Sequence, residues 1–222
     1  MHWILLVFFT ALCSIGLGQK ASEWKLKKEA NGIQVFTREA ENSSFSELRM
    51  KGTFETSMSA MIALFKDIPN YTSWVYSCTV SESVKKSTDG EDYYYSITSA
   101  PWPVSDRDVV VHSKVTQDSS TWIVTSTSEN IDSLIPEKDG FERVPLLQSA
   151  WTLIPLEDGK VDITYDLSVD PGGLVPAWLA NLTLTIGPYN TMVAIKKELA
   201  KNKYKNARFP YIHEPYLAVL EN

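Results

Sequence analysis

The stretch 161–169 constrains the fold more than any other part of the chain. Val161, Ile163, Tyr165, Leu167 and Val169 alternate there with Asp162, Thr164, Asp166 and Ser168. Successive side chains of a strand point to opposite faces, so a period of two means one buried and one wet face. That is the pattern of an antiparallel sheet packed on one side. Val109, Val111 and Val115 alternate in the same way with Val110, His112 and Lys114, and Cys78, Val80 and Val84 with Ser77, Thr79 and Ser83. Further strands are predicted over 33–38, 45–54, 93–99, 121–127 and 149–155, with turns at Asp89-Gly90 and Asp158-Gly159.

Two segments switch to helical spacing. Ser57 is placed to cap a short helix whose face is Met58, Met61, Ile62 and Phe65. The last long segment, 176–203, carries the stripe Leu179, Leu182, Ile186, Tyr189 and Val193. Gly187-Pro188 interrupts it, and proline lacks the N–H a helix needs, so a kink or two helices are expected. The class is therefore α+β, with a long C-terminal helix against one face of a curved antiparallel sheet. Residues 128–145 fit no period and are read as a structureless stretch, either a lid or a passive surface loop.

No repeat or linker divides the chain of 222 residues. Residues 3–17 are almost wholly apolar, too short a run to span a bilayer comfortably. With Gly16 and Gly18 before a plausible cut, residues 1–18 read as a secretory signal peptide cleaved near Gly18. The protein is then exported, periplasmic or extracellular, with a domain over 19–208 and a tail over 209–222. Phe209, Tyr211 and Leu217 suggest that the tail docks on the domain. An uncleaved anchor is the alternative; a lipoprotein through Cys13 suffers from bulky Leu12 before the cysteine. Of the two cysteines, Cys13 leaves with the signal, so Cys78 is expected to be an unpaired buried hydrophobe.

The formal charge of −6 argues against nucleic acid. Metal-ligand spacings, a G-x-S-x-G elbow and a phosphate-cradling glycine loop are all missing from the sequence, so no cofactor, metal or catalytic residue is expected. His112 falls on the polar side of its strand. Arg107 lies between Asp106 and Asp108. It reads either as a cation gripping a lipid acid or phosphate, or as a structural ion pair fixing the start of the strand, and the ion pair is the expectation. Lys196, Lys197, Lys201, Lys203, Lys205 and Arg208 cluster near the C-terminus, as a patch for an anionic membrane or as a solvated helix end.

Four motifs resemble the START (steroidogenic acute regulatory protein-related lipid-transfer) family. They are GIQVFTR at 32–38, DIPNYTSW at 67–74, PWPVSDRD at 101–108 and DPGGLVPAWLAN at 170–181. The resemblance runs over residues 22–203. It implies a helix-grip fold whose sheet wraps the C-terminal helix and leaves a tunnel for one lipid. It also implies that 128–145 is an Ω loop at the tunnel mouth. Sterol-binding members tend to pair a cavity acid with a cavity arginine; those positions match Tyr94 and Ser113 here. Phosphatidylcholine-binding members build an aromatic cage, at positions near Ser96, Val109 and Leu147. The chain departs from both patterns.

The expected function is binding, and transfer, of one hydrophobic ligand by a monomer in transient contact with a membrane. Val109, Val111, Ser113, Leu182, Ile186, Tyr189 and Val193 are the expected lining residues, with Arg107 as a structural or cavity cation. Trp178 and Leu174 either touch membrane near the tunnel or pack under the turn. The rival readings are an enzyme like the helix-grip cyclases and dehydratases, and a packed interaction domain without ligand.

Overall fold

The computed structural model describes residues 22–40, 45–131 and 133–216, without the side chains of residues 177 and 182. The expected signal segment lies outside these residues. No described helix is long and apolar enough to cross a membrane.

In chain order the strands are β1 (Lys25–Ala30), β2 (Ile33–Glu39) and β3 (Ser46–Phe54), then helices α1 (Met58–Lys66) and α2 (Tyr71–Trp74). They are followed by β4 (Cys78–Ser83), β5 (Glu91–Thr98), β6 (Asp106–Gln117), β7 (Val124–Asn130), β8 (Phe141–Arg143), β9 (Leu146–Pro155) and β10 (Val161–Asp170). The chain closes with α3 (Ala177–Leu199) and α4 (Asn202–Lys205). The strands form one sheet in the order β1-β2-β3-β10-β9-β7-β6-β5-β4, with β8 on the side of β6. All neighbours are antiparallel except β6 and β8.

Strand β1, which the alternation misses, reads KLKKEA and is almost wholly exposed. Its lysines suit an edge, where charge discourages pairing with another chain. It turns into β2 through Asn31-Gly32, both at positive φ, as a two-residue hairpin requires.

The inner face of the sheet carries Val35, Met50, Trp151, Leu153 and Ile163 in one buried cluster with Met58, Met61 and Ile62 of α1. Ser57 caps α1 by accepting from the Ala60 N–H at 3.1 Å, which satisfies one of the free amides of the first turn. α3 runs unbroken through Pro188, so the expected split does not occur. Gly187 lets the helix approach Tyr76: a Cβ there would sit 3.2 Å from the Tyr76 ring. Thr191 on the following turn accepts the Tyr76 N–H at 3.0 Å.

Residues 128–145 are not structureless. β7 continues to Asn130, and β8 adds a parallel rung beside Asp106, Arg107 and Asp108. Ser128 and Val144, near the ends of this segment, face the helix side, and its middle covers the outer face. Ile131, Ile135 and Phe141 pack on Tyr95, Ile97 and Val110, which point to the outer face. This explains why Val109, Val110 and Val111 run without alternation: β6 is covered on both sides here. A bulge between Cys78 and Val80 also breaks the simple alternation of β4. It leaves Cys78 in the inner cluster and sends Val80 to the outer one.

The tail folds back onto the domain. Ile212 is buried, the His213 ring meets Trp122 at 4.0 Å, and Glu214 accepts the Met58 and Ser59 N–H groups at 3.2 and 2.6 Å.

Candidate functional site

Between the inner face of the sheet and α3 lies a cavity of about 720 Å³, inside the usual range of roughly 300–1,000 Å³ for small-molecule sites. Its layers follow from strand geometry. Inward residues of β6 are Arg107, Val109, Val111 and Ser113, all on the wall. At about 3.3 Å per residue, Arg107 and Ser113 are roughly 20 Å apart along the strand.

At the Arg107 end the lining residues Ser99 and Pro101 are exposed, so the cavity reaches the surface there. Three large apolar side chains flank this opening: Trp102 is 92 %, Leu174 104 % and Trp178 69 % exposed. Next comes an aliphatic level, with Val109, Val111 and Val144 buried together and Leu147 and Val169 against them. Beyond it stand the hydroxyls of Tyr94, Ser113, Ser128, Ser149 and Tyr165. Aromatic rings close the far end: Phe65 meets Trp151 at 5.2 Å, Trp151 stacks on Tyr165 at 4.1 Å, and Tyr71 meets Tyr94 edge-on at 5.2 Å.

Of the expected helical residues, Ile186 is 44 % exposed, Tyr189 packs in the core, and Val193 flanks that core; none lines the cavity. The Leu182 side chain lies outside the described residues. Tyr189 is drawn to the β1–β2 hairpin, where its hydroxyl accepts from Asn31 Nδ2 at 2.8 Å. The helix faces the cavity with Leu179, Ala180, Thr183, Leu184, Gly187 and Thr191 instead. These residues are mostly small or hydroxylic. A search for an apolar stripe passes over them, because a hollow needs helix positions that leave space.

Arg107 is the one charged residue on the wall among the described residues. The expected ion pair with its neighbours does not form, since residues one apart on a strand point to opposite faces. Asp106 instead accepts from the Ala100 N–H at 3.0 Å and the Ser99 hydroxyl at 3.2 Å. Asp108 pairs with Arg143. Arg107 donates only to carbonyls: to Ser105, to Pro171 at 3.3 Å and to Gly172 at 3.4 Å. Burial lowers its pKa, against the pull of Glu142 and Asp106.

The tyrosines of the cavity are held neutral. Burial pushes Tyr94 well above the ordinary phenol value and Tyr165 up to about 12. Burial also raises the Cys78 thiol, which lines the cavity. No group of three or more His, Cys, Asp or Glu suited to a metal occurs among the described residues. His112 stands on the outer face, stacked on Tyr93 at 4.5 Å. A smaller outer hollow of about 470 Å³ is walled by internally paired charges: Arg38 with Glu47, Arg49 with Asp166, and Trp24 between the two guanidiniums.

The basic cluster lies at the other end of α3 from the opening, roughly 30 Å from Trp178 at 1.5 Å per helical residue. Lys196 donates to the Asn31 carbonyl, Lys201 pairs with Glu198, and Lys203 with Asp67. Two asparagine side chains are engaged structurally. Asn70 donates to Glu198 and Tyr204, and Asn181 accepts the Ser46 N–H.

Positions that carry ligand specificity in the resembled family all fall on this wall: Tyr94, Ser96, Val109, Ser113 and Leu147. Comparison with known proteins agrees. The profile of the START domain matches residues 16–202. An uncharacterised protein of Pseudomonas aeruginosa is 30% identical over 196 residues, covering 88% of this chain and 96% of that one. The phosphatidylcholine transfer protein of Rattus norvegicus is 28% identical over 167 residues, covering 72% of this chain and 76% of its own. The crystal structure of a STAR-related lipid transfer protein from Xanthomonas axonopodis superposes with a TM-score of 0.75 at 34% identity, covering 80% of this chain and 99% of that one. The chain belongs to the START domain family.

Proposed function

We propose that the protein binds a single lipid in the cavity between sheet and α3 and carries it between membranes, without catalysing a reaction. The observation that carries this reading is the wall itself: a sheet face of aliphatic, hydroxyl and aromatic levels and a helix face of small residues, with Arg107 as its one described charge. Affinity comes from apolar burial, at roughly 0.8 kcal/mol per CH₂. Arg107, held only by carbonyls, gains a counter-charge when an acidic or phosphate group occupies the opening, and a charge-assisted bond is stronger than a neutral one. Neither Ser96, Val109 nor Leu147 supplies an aromatic ring, so a choline cage at those positions is not part of the reading. The neutral tyrosines weigh against acid–base chemistry on the bound ligand, which calls for a group that titrates near the working pH.

Trp102, Leu174 and Trp178 are the proposed contact with the bilayer, since amphipathic rings favour the membrane interface. The apolar segment 3–17 supports export to a periplasmic or extracellular space, where the chain acts as a monomer. Transfer of a fluorescent fatty acid between donor and acceptor vesicles tests the reading. The protein accelerates transfer, and Arg107→Met weakens binding of the acid about ten-fold or more, the worth of a hydrogen bond to a charged group. Transfer no faster than the spontaneous rate contradicts it.

A further inference from the structure

The register of the sheet builds a row of hydroxyls across the cavity wall. Ser113 of β6 is paired with Ser128 of β7, and Ser128 with Ser149 of β9. Paired residues share a face on strands about 4.8 Å apart, and all three line the cavity. Two tyrosines stand on the wall with them, Tyr94 beside Ser128 and Tyr165 beside Ser149. Each hydroxyl has one donor and two acceptor positions. Five hydroxyls on one wall therefore leave capacity for a ligand, and no described hydrogen bond occupies Ser113. The level above is aliphatic, through Val109, Val111 and Val169, and the level below is aromatic, through Phe65 and Trp151. The row is thus a polar band between two apolar ones.

Its charge state narrows the ligand. Asp92 is paired with Ser113 across β5 and β6 but is buried against Lys66 at 2.9 Å, off the cavity wall. Both tyrosines are kept protonated by burial. An ionised ligand group would meet no counter-charge here and would lose its hydration. A hydroxyl or keto oxygen would find donors and acceptors, whereas a plain alkyl chain would leave them without ligand partners. The anion station at Arg107 lies six residues away on the same face of β6, roughly 20 Å distant.

We infer that the ligand is an anionic amphiphile whose chain bears a neutral oxygen function, a hydroxyl or ketone, toward the end remote from its head group. Arg107 holds the head and the Ser113–Ser128–Ser149 row holds the oxygen. The inference rests on the lipid-binding reading and on the head lying at Arg107.

Calorimetric titration of the delipidated protein with palmitic acid and with ω-hydroxypalmitic acid tests it. The expected result is about ten-fold tighter binding of the hydroxylated acid, a gain on the scale of one or two satisfied buried hydrogen bonds. The triple variant Ser113→Ala, Ser128→Ala, Ser149→Ala should lose that preference. Equal affinities in the unmodified protein overturn the inference and leave the lipid-binding reading standing; that comparison needs no variant to fold. A preference that survives the triple variant overturns the assignment to the serine row. Failure of both acids to bind overturns both readings.

Discussion

Arg143 grips Asp108 in a two-pronged pair on the outer face of the sheet, with Nε to Oδ1 and Nη2 to Oδ2 both at 2.9 Å. Tyr95 donates to the same carboxylate at 3.0 Å. The pair fastens β8 and the segment before it to β6, since Arg143 also donates to the carbonyls of Ile135 and Pro136. Burial opposes the Asp108 charge, but the bonds from Arg143 and Tyr95 and the guanidinium charge outweigh it. The carboxyl is left below its ordinary value.

Asp108→Asn should therefore destabilise the fold by about 3–5 kcal/mol, because Arg143 stays buried without a counter-charge. The sign of the pH effect follows from the lowered pKa. The contribution is fully present above the unfolded carboxyl value near 3.9 and is lost as pH falls through the lower folded value. Urea melts at neutral pH and in acid check this. The gap between wild type and variant should narrow only below about pH 4.

Removal of the tail contact is the second case. Glu214 caps two amides at the start of α1, alongside Ser57. An acidic group at a helix N-terminus contributes on the order of 1 kcal/mol. Glu214→Ala should lower the unfolding free energy by that amount, seen as a lower urea midpoint with an unchanged slope. Deletion of residues 209–222 should cost more, because Ile212 leaves the core.

Much of the sheet was legible because half-buried strands write their period into the sequence. Val161–Asp170 and Ile33–Glu39 follow the alternation. β8 was not legible: three residues hold no period, and its partner Asp108 lies 35 residues away in sequence from Arg143. Wall positions on β6 were readable from parity alone, so Val109, Val111 and Ser113 face the cavity. The helix side was not, because space is made by Ala180, Thr183 and Gly187, which carry no apolar signal. Arg107 was visible as a residue, but its hydrogen bonds to carbonyls depend on the turn at Pro171 and Gly172, which no local pattern discloses.

Membrane contact supplies the third prediction. Trp102→Ser, Leu174→Ser and Trp178→Ser remove exposed side chains, so the melting temperature should hardly move. Sedimentation with vesicles should fall several-fold for the triple variant. Neutralising Lys197 of α3 and Lys205 of α4 should change vesicle binding far less.

Filling the cavity is the fourth. Val111→Trp places a ring in the hollow that Val111 lines. It should abolish ligand uptake while the fold survives, seen as retained cooperative melting and lost fluorescence response to added fatty acid.

Native mass spectrometry of the purified protein, with extraction and identification of whatever it carries, addresses the central claim most directly. The account predicts one lipid per chain, held by wild type and absent from Val111→Trp. A ligand-free mass that stays unchanged after incubation with mixed lipid vesicles would contradict it.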